Sequence, residues 1–328
     1  MNTALKISAF AAALAATFGT AYGVGGGVDP MTSKDEPAAH AGHGADAGAG
    51  ESDAAESGGA GKPDSPAGGL QVSEGGYTLA LKNSRVQARA DGELRFAILD
   101  GRGRELTEYR REHGKELHLI LAARDLSTYR HLHPTRAADG TWSTPVDLPR
   151  AGDYRVFADF TPAAKGAENL TLGADLAASG SYRPSRLPEV SRTAEVDGYT
   201  VTLDGALRPG AARELKLKVS KDGKPVTDLD PYLEAYGHLV ALRSGDLAYL
   251  HVHPNGAPGD GSTEPGPAIS FTATAPSSGA YRLFLDFKHE GKVRTAAFTV
   301  ETGKNGAGDA SGAGQEAPKE PEGKGHEH

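Results

Sequence analysis

A histidine pattern that occurs twice constrains the fold of this chain more than any other sequence feature. The pattern, HL-x11-HxHP, runs from His118 to Pro134 and again from His238 to Pro254, at an offset of 120 residues. The spacing between the histidines is the same in the two copies. A motif repeated with its spacing intact indicates a tandem duplication, so the sequence predicts two similar structural units of about 110 residues each.

Segments on both sides of the histidine pattern are repeated as well. Upstream, residues 77–79 (Tyr-Thr-Leu) match residues 199–201 (Tyr-Thr-Val). Downstream, residues 152–160 (GDYRVFADF) match residues 279–287 (GAYRLFLDF), now at an offset of 127 residues. The larger offset predicts a turn-rich insertion in the second unit, around residues 255–267.

Each unit has the short segments and frequent turn signals of an all-β domain. Asp-Gly pairs separate the segments, and no window shows sustained helical periodicity, although residues 106–113 and 229–236 are compatible with a turn of helix. Seven strands in about 110 residues are typical of an immunoglobulin-like sandwich. In the first unit the predicted strands are 76–82, 92–100, 115–124, 128–134, 141–148, 153–160 and 168–178.

The residues that precede two tyrosines resemble the tyrosine corner of immunoglobulin-like domains. Residues 148–154 (LPRAGDY) and 275–281 (APSSGAY) each place a tyrosine at the predicted start of strand F. The cysteine pair of antibody domains is missing, so the resemblance is to the wider sandwich class. The predicted fold class is all-β: two tandem immunoglobulin-like β-sandwich domains with a disordered N-terminal spacer and C-terminal tail.

The N-terminal residues have the features of an export signal. Lys6 is the only charged side chain before an apolar run from Ile7 to Phe18, and small residues follow. Residues 1–23 are therefore predicted to be a signal peptide or a signal anchor. In both cases the protein is exported: it is either anchored in the membrane of the cell envelope by residues 7–25 or secreted.

Two polar segments flank the predicted domains. Residues 24–75 carry nine acidic residues against two lysines and almost no large apolar side chain, and residues 303–328 have a similar composition. Such segments cannot bury enough apolar surface to offset chain entropy, so a disordered linker and a disordered tail are predicted. The two domains are predicted at residues 76–190 and 191–302.

The histidines of the first unit are predicted to meet on a β-hairpin. His118 lies in predicted strand C, and His131 and His133 lie in the next strand, after a tight turn near residues 124–127. Pairing His118 with either His131 or His133 gives an ordinary hairpin. In both registers the three imidazoles share one face at a separation that suits binding to a single metal ion.

Five further residues complete the predicted metal sites. The second unit repeats the hairpin with His238, His251 and His253. Because strand F adjoins strand C in this fold, Asp159 and Asp286 are candidates for a fourth ligand in their own units. Either aspartate would alternatively orient a ligating imidazole through its other nitrogen.

The donor set favours certain metals. Imidazoles assisted by carboxylates suit Cu(II) or Zn(II), whereas Cu(I) is disfavoured because the only methionines, Met1 and Met31, lie outside the domains. The alternative interpretation is structural. Half-buried histidines on sheets often hydrogen-bond a backbone carbonyl or a carboxylate, and a duplication copies structural residues as faithfully as functional ones.

Composition and motifs argue against several function classes. The absence of Cys excludes a disulfide framework, a thiolate zinc site and a cysteine nucleophile. The formal net charge of -8 argues against a nucleic-acid partner. The sequence has no nucleophile elbow, no phosphate loop after a strand, no dinucleotide fingerprint and no HExxH helix, so no catalytic residues are predicted. Hydrolysis at a histidine-bound zinc is the one enzymatic alternative that stays open.

The two histidine patterns and the export signal together resemble a group of uncharacterised exported proteins of actinobacterial type. The resemblance spans both units, and it implies export without implying an activity. The sequence predicts an exported protein that stores, buffers or delivers Cu(II) or Zn(II) through its histidine triads. The alternative is a non-catalytic binding or scaffolding module of the cell envelope, with another envelope protein as partner. In both interpretations the membrane is contacted only through the N-terminal segment.

Overall fold

The computed structural model describes residues 67–250 and 252–303, and of His253 it describes the backbone alone. Every regular element in these residues is a β-strand, which confirms the all-β prediction. The described residues contain no helix of the length and hydropathy that crossing a membrane requires. The predicted export signal, most of the predicted linker and nearly all of the predicted tail lie outside the described residues.

The first repeat is a sandwich of two sheets. Its strands are β1 (Ser73–Glu74), β2 (Tyr77–Leu81), β3 (Arg85–Gln87), β4 (Asp91–Leu99), β5 (Tyr109–Arg110), β6 (Leu117–Ala123), β7 (Tyr129–Leu132), β8 (Thr135–Arg136), β9 (Trp142–Asp147), β10 (Gly152–Pro162) and β11 (Leu170–Ser179). One sheet has the order β1-β2-β4-β9-β8, and the other has the order β3-β11-β10-β6-β7, with β5 beside β10. All seven predicted strands are present, and β1, β3, β5 and β8 are short additions.

The second repeat has the same architecture. Its strands are β12 (Thr193–Val196), β13 (Tyr199–Asp204), β14 (Arg213–Lys221), β15 (Lys224–Pro225), β16 (Gly237–Arg243), β17 (Tyr249–Leu250), β18 (His253–Pro254), β19 (Ala268–Ala273), β20 (Gly279–His289) and β21 (Lys292–Thr302). The sheets have the orders β12-β13-β14-β19-β18, with β15 beside β14, and β17-β16-β20-β21. The predicted insertion is the long connection between β18 and β19.

Strand β6 shows how alternation builds two apolar interfaces from one strand. Leu117, Leu119 and Leu121 are buried in the core between the two sheets of the first repeat. Ile120 and Ala122 point to the opposite face of the sheet and belong to a separate apolar cluster. A strand whose two faces are both apolar must be covered on both sides, so this sheet needs a partner outside its own sandwich.

That partner is the equivalent sheet of the second repeat. The cluster between the repeats contains Ile120, Ala122, Leu126, Tyr129 and Phe157 of the first repeat and Val240, Leu242, Leu247, Tyr249 and Phe284 of the second. Each tyrosine contacts a phenylalanine of the other repeat: Tyr129 stacks on Phe284 with ring centroids 4.2 Å apart, and Tyr249 lies 5.4 Å from Phe157. The duplicated sheets therefore pack on each other through matching residues.

Both tyrosine corners have the expected hydrogen bond. The Tyr154 hydroxyl donates to the carbonyl oxygen of Arg150 at 2.8 Å, and the Tyr281 hydroxyl donates to the carbonyl oxygen of Ser277 at 2.7 Å. Each bond spans four residues and fixes the start of β10 or β20. The resemblance to the immunoglobulin-like corner is confirmed in both repeats.

The turns of helix allowed for residues 106–113 and 229–236 do not form. In the first repeat, His113 and Gly114 have φ values of 50° and 73°. In the second, Leu233 and Glu234 have φ values of 51° and 61°. A right-handed helix needs negative φ throughout, so these positions end in tight turns instead.

The first repeat also begins earlier than the predicted domain start at residue 76. Residues 67–75, assigned above to the disordered linker, are held mainly by backbone hydrogen bonds. Arg155 Nε donates to the carbonyl oxygen of Gly69 at 2.9 Å, and Gly68 forms a bridge to Tyr249 of the second repeat. A Cβ on Gly173 would lie 2.0 Å from that carbonyl of Gly69, so the close approach requires glycine. Composition does not show contacts of this kind, because residues 67–75 make them through their backbone groups and not through their side chains.

Candidate metal centre

The hairpin formed by β6 and β7 places the first set of histidines. Leu119 pairs with Leu132 and Ile120 pairs with His131, so continuing the register puts His118 opposite His133. This is one of the two predicted registers. The turn is fixed locally, because Asp125 Oδ1 accepts a hydrogen bond from the backbone N–H of Ser127 at 3.1 Å.

His118 faces the interface between the repeats and not the core of its own sandwich. It alternates in phase with Ile120 and Ala122, the β6 residues of the cluster between the repeats. Strand β10 runs beside β6 as predicted, with Asp159 paired with His118 in the backbone register. The imidazole therefore lies where side chains of the second repeat can reach it.

Three histidines of the first repeat come together at this face. One nitrogen from each of His118, His131 and His133 lies within 4.8 Å of the other two, and all three residues are partly buried. The ring centroids are 5.3 Å apart for His118 and His131, 5.4 Å for His118 and His133, and 4.8 Å for His131 and His133. Among the described residues this is the only group of three or more such side chains whose ligand atoms converge in this way.

Hydrogen bonds determine which nitrogens of two of these rings face the group. His118 Nε2 lies 3.1 Å from the carbonyl oxygen of Glu112, and His131 Nδ1 lies 2.9 Å from Asp286 Oδ2. A carbonyl oxygen and a carboxylate only accept hydrogen bonds, so both of these ring nitrogens carry the hydrogen. In the neutral rings, His118 Nδ1 and His131 Nε2 then present lone pairs, and these two atoms are 3.1 Å apart.

The third imidazole also has a nitrogen without a partner. His133 Nε2 is buried, and no hydrogen-bond partner reaches it among the described residues. A buried polar atom without a partner costs free energy unless something satisfies it. His118 and His131 therefore bring two lone pairs together, and His133 adds a buried nitrogen that no hydrogen bond satisfies among the described residues.

The carboxylate that holds His131 belongs to the second repeat. The side chains of His131 and Asp286 are 7% and 3% exposed, and Asp286 also accepts hydrogen bonds from the hydroxyls of Thr295 at 2.5 Å and Tyr129 at 3.3 Å. The sequence-based prediction grouped Asp159 with the histidines of its own repeat. Asp159 accepts hydrogen bonds from Asn169 Nδ2 at 2.8 Å and from the Tyr249 hydroxyl at 3.4 Å, and its role towards a metal stays a prediction. Each aspartate thus accepts a hydrogen bond from a tyrosine hydroxyl of the other repeat, because the two sheets face each other.

Burial keeps several of these imidazoles neutral. It lowers the pKa of His118 from 6.5 to about 4, with a further contribution from neighbouring His131. Burial, followed by His131 and His118, lowers the pKa of His133 to about 3. Burial likewise lowers the pKa of His238 to about 3. Neutral imidazole is the form that binds a metal ion.

The second predicted set can be described only in part. His238 donates from Nε2 to the carbonyl oxygen of Tyr232 at 2.9 Å, and its strand neighbour in β20 is Asp286, as predicted. The backbone of His253 pairs with Thr272 in β19. His251 lies outside the described residues, so a triad of His238, His251 and His253 stays a prediction.

Two further histidines had no sequence-based interpretation. The His113 ring lies 5.2 Å from His238 and 6.2 Å from His118, so it borders the candidate centre. It reaches that position from a tight turn with positive φ, which no periodicity signals. His289 lies apart from the centre and bonds to Tyr199 and Asp228.

The tyrosines that hold the aspartates did carry a sequence signal. Tyr129 and Tyr249 each precede the first histidine of an HxHP segment by two residues, so they recur with the motif. Burial, followed by Asp286, raises the pKa of Tyr129 well above its ordinary value of 10, and burial with Asp159 does the same for Tyr249. Both hydroxyls therefore stay protonated and donate to the carboxylates.

One family matches this sequence. It is described as Domain of unknown function (DUF8832), and it matches twice, over residues 71–172 and 194–304. The two matches coincide with the two repeats, which supports the duplication. No curated protein matches the chain.

The solved structures similar to this chain have low sequence identity to it. The Escherichia coli adhesin FdeC is 18% identical, with 71% of this chain and 65% of that chain covered and a TM-score of 0.22. A Salmonella alpha-2-macroglobulin mutant is 13% identical, covering 73% of this chain and 15% of that one, with a TM-score of 0.24. Invasin, a bacterial integrin-binding protein, is 11% identical, covering 68% and 39%, with a TM-score of 0.19.

Proposed function

This chain belongs to the DUF8832 family and contains two copies of the family's domain, and from the geometry of the first repeat we propose that it is an exported protein that binds a transition metal. His118, His131 and His133 are the proposed ligands, and Zn(II) or Cu(II) is the proposed metal. Storage, buffering or delivery of the metal outside the cytoplasm is the proposed role. Export is supported by the sequence of residues 1–23, and the role is a binding role rather than a catalytic one.

The observation that carries the proposal is the 3.1 Å approach of His118 Nδ1 to His131 Nε2. The other nitrogen of each ring donates to an acceptor, so two lone pairs face each other in the neutral state. Such an arrangement is unfavourable unless a cation lies beside both atoms. A proton would serve only if one ring became charged, whereas a metal ion satisfies both lone pairs without charging a ring.

The surroundings of the triad also favour a metal. Ligating imidazoles commonly donate their second N–H to a carboxylate or a backbone carbonyl, and Asp286 and the Glu112 carbonyl occupy these positions. The buried Nε2 of His133, which has no hydrogen-bond partner among the described residues, is the third proposed ligand atom. A set of neutral imidazoles suits Zn(II) or Cu(II), in agreement with the sequence-based preference.

Metal content tests the proposal directly. The full chain, purified without a histidine tag, is loaded with Zn(II) or Cu(II) and dialysed against a weak chelator. The control carries His118→Ala, His131→Ala and His133→Ala together and keeps His40 and His43 of the predicted linker and His326 and His328 of the predicted tail. We expect the control to retain one equivalent of metal less than the wild type. Equal metal content in the two folded proteins would contradict the proposal.

The second candidate is a scaffolding or binding module of the cell envelope, in which the histidines only brace the structure. One observation favours it: His131 Nδ1 and Asp286 Oδ2, both on nearly fully buried side chains, join the two repeats at 2.9 Å, a contact that braces the interface by itself. In that case the triple variant unfolds at a lower temperature than the wild type, and the addition of metal changes the unfolding temperature of neither protein. A metal-dependent rise of the unfolding temperature that is found only in the wild type would favour the metal-binding function.

A further inference from the structure

The triad of the first repeat is bordered by a histidine of the second repeat. The ring centroid of His238 lies 6.3 Å from that of His118 and 6.1 Å from that of His131. His238 is buried, with 8% of its surface exposed. It therefore lies at the same interface between the repeats as the triad.

His238 is held in the same way as His118, its counterpart in the duplication. His118 Nε2 donates to the carbonyl of Glu112, and His238 Nε2 donates to the carbonyl of Tyr232, in each case six residues upstream. Because Nε2 carries the hydrogen, Nδ1 is the nitrogen of His238 that remains able to bind a metal. In His118 that same atom belongs to the close pair with His131.

The distances from His238 to two of the three triad rings, His118 and His131, fit a shared site after a small movement. Zn–N bonds of about 2.0–2.1 Å in a tetrahedral site place neighbouring ring centroids about 5 Å apart. The three rings of the triad lie 4.8 to 5.4 Å apart, so they already meet this condition. The distances of 6.1 and 6.3 Å to His238 exceed it by about 1 Å, which a small shift of the ring or of the interface closes.

We infer that His238 is the fourth protein ligand of the proposed metal, so that one divalent transition-metal ion bridges the two repeats. This inference rests on the proposed function. It differs from the sequence-based expectation, which assigned His238 to a separate site in its own repeat.

The shared site has two consequences. Four imidazole ligands leave no open coordination position, and closed sites of this kind are structural or storage sites rather than hydrolytic ones. The metal also adds a bond across an interface that already contains the apolar cluster, the His131–Asp286 contact and the two tyrosine–aspartate contacts. Metal binding should therefore tighten the two repeats against each other.

Co(II) binding to the full chain tests the ligand assignment. We compare the wild type, His238→Ala, His238→Gln and His289→Ala, the last being a buried histidine of the same repeat away from the centre. The wild type and His289→Ala should bind Co(II) with the intense visible bands of a tetrahedral site. Both His238 variants should bind at least about 10–100-fold more weakly, because loss of a ligand costs no less than loss of a group that orients one. The glutamine variant preserves side-chain volume if the alanine variant does not fold.

Hydrogen exchange tests the bridge. In the wild type, Zn(II) should slow exchange in β6 and also in β16, residues 237–243. In the His238 variants, saturating Zn(II) should still slow exchange in β6 and should no longer slow it in β16. If these variants bind Co(II) as tightly as the wild type and still protect β16, His238 is not a ligand and the inference is overturned, while the triad keeps its proposed function. If the wild type itself binds neither metal, the proposed function fails.

Discussion

Two groups of buried histidines in this protein differ in how their ring nitrogens are satisfied. His289, near the end of β20, accepts at Nδ1 from the Tyr199 hydroxyl at 2.7 Å and donates from Nε2 to Asp228 Oδ1 at 3.1 Å. One neutral tautomer satisfies both bonds. In His118 and His131 the outer nitrogens both donate, and the inner nitrogens face each other at 3.1 Å.

The comparison separates a structural histidine from a candidate ligand by local chemistry. Burial is common to both, since the side chains of His289 and His131 are 9% and 7% exposed. The difference is the number of acceptors around each ring. His289 has one donor and one acceptor as neighbours, whereas the triad has acceptors outside and lone pairs inside, an arrangement that a cation completes.

The largest expected difference between the two groups is in metal-dependent stability. At a metal concentration 1,000-fold above Kd, binding stabilises the wild type by about 4 kcal/mol. We expect His131→Ala to lose this gain, while His289→Ala lowers stability equally with and without metal and retains the gain. Thermal unfolding of the full chain at pH 7.5, with Zn(II) and with chelator, measures both effects. If metal raises the unfolding temperature of His131→Ala as much as that of the wild type, His131 does not differ from His289 and is not a ligand.

Acid should destabilise the metal-free protein through the candidate centre. Above pH 6.5, His118 and His238 are neutral in both the folded and the unfolded chain, so they contribute nothing to pH dependence. Below pH 6.5 the unfolded chain takes up protons, whereas the folded chain does not until its lower pKa values of about 4 and about 3 are reached. Each residue therefore lowers the free energy of unfolding by up to about 1.4 kcal/mol per pH unit in that window.

Urea denaturation at pH 7.5, 6.5 and 5.5 measures this dependence. The matched variant is His118→Gln, which removes one titrating group. Its slope between pH 6.5 and 5.5 should be smaller than that of the wild type by up to about 1.4 kcal/mol per pH unit. Identical slopes would show that burial of this imidazole does not control the pH dependence.

The two aspartates that hold histidines should have unequal effects on metal binding. Asp286→Asn removes the charged acceptor that orients His131, so metal affinity should fall about 10–100-fold. Asp228→Asn makes the same chemical change beside His289 and should leave metal affinity unchanged. Competition with a chromophoric chelator at pH 7.5 measures both. Equal losses in the two variants would point to a general effect on stability.

The smallest effect on stability is expected at His289, whose two ring nitrogens both have hydrogen-bond partners. Tyr199→Phe removes the hydroxyl that donates to His289 and should cost about 0.5–1.5 kcal/mol of stability, with no change in metal binding. Tyr129→Phe removes a donor to Asp286 at the candidate centre, so it should weaken metal binding as well as stability. Denaturant unfolding combined with metal titration separates these results. A change of metal affinity in Tyr199→Phe would contradict the assignment of His289 as a purely structural histidine.

Much of the fold was predictable because its signals are local or periodic. Period-two alternation, Asp-Gly turns and the repeated motif identify the seven strands and the duplication. The close approach of His118, His131 and His133 follows from strand alternation and the hairpin between β6 and β7. The register itself was not predictable, because both candidate pairings give acceptable turns and the choice depends on the positive φ of Leu126 in the turn.

The sequence by itself determined the all-β class, the two repeats and a hairpin that gathers three imidazoles, because these depend on residues close together in the chain. Only the tertiary structure decided which carboxylate meets which histidine. Asp286 contacts His131, 155 positions earlier, because the apolar outer faces of β6 and β16 pack the two repeats against each other. The same packing brings His238 beside the triad. Such contacts depend on how two folded surfaces fit together, which the pattern along a single strand does not specify.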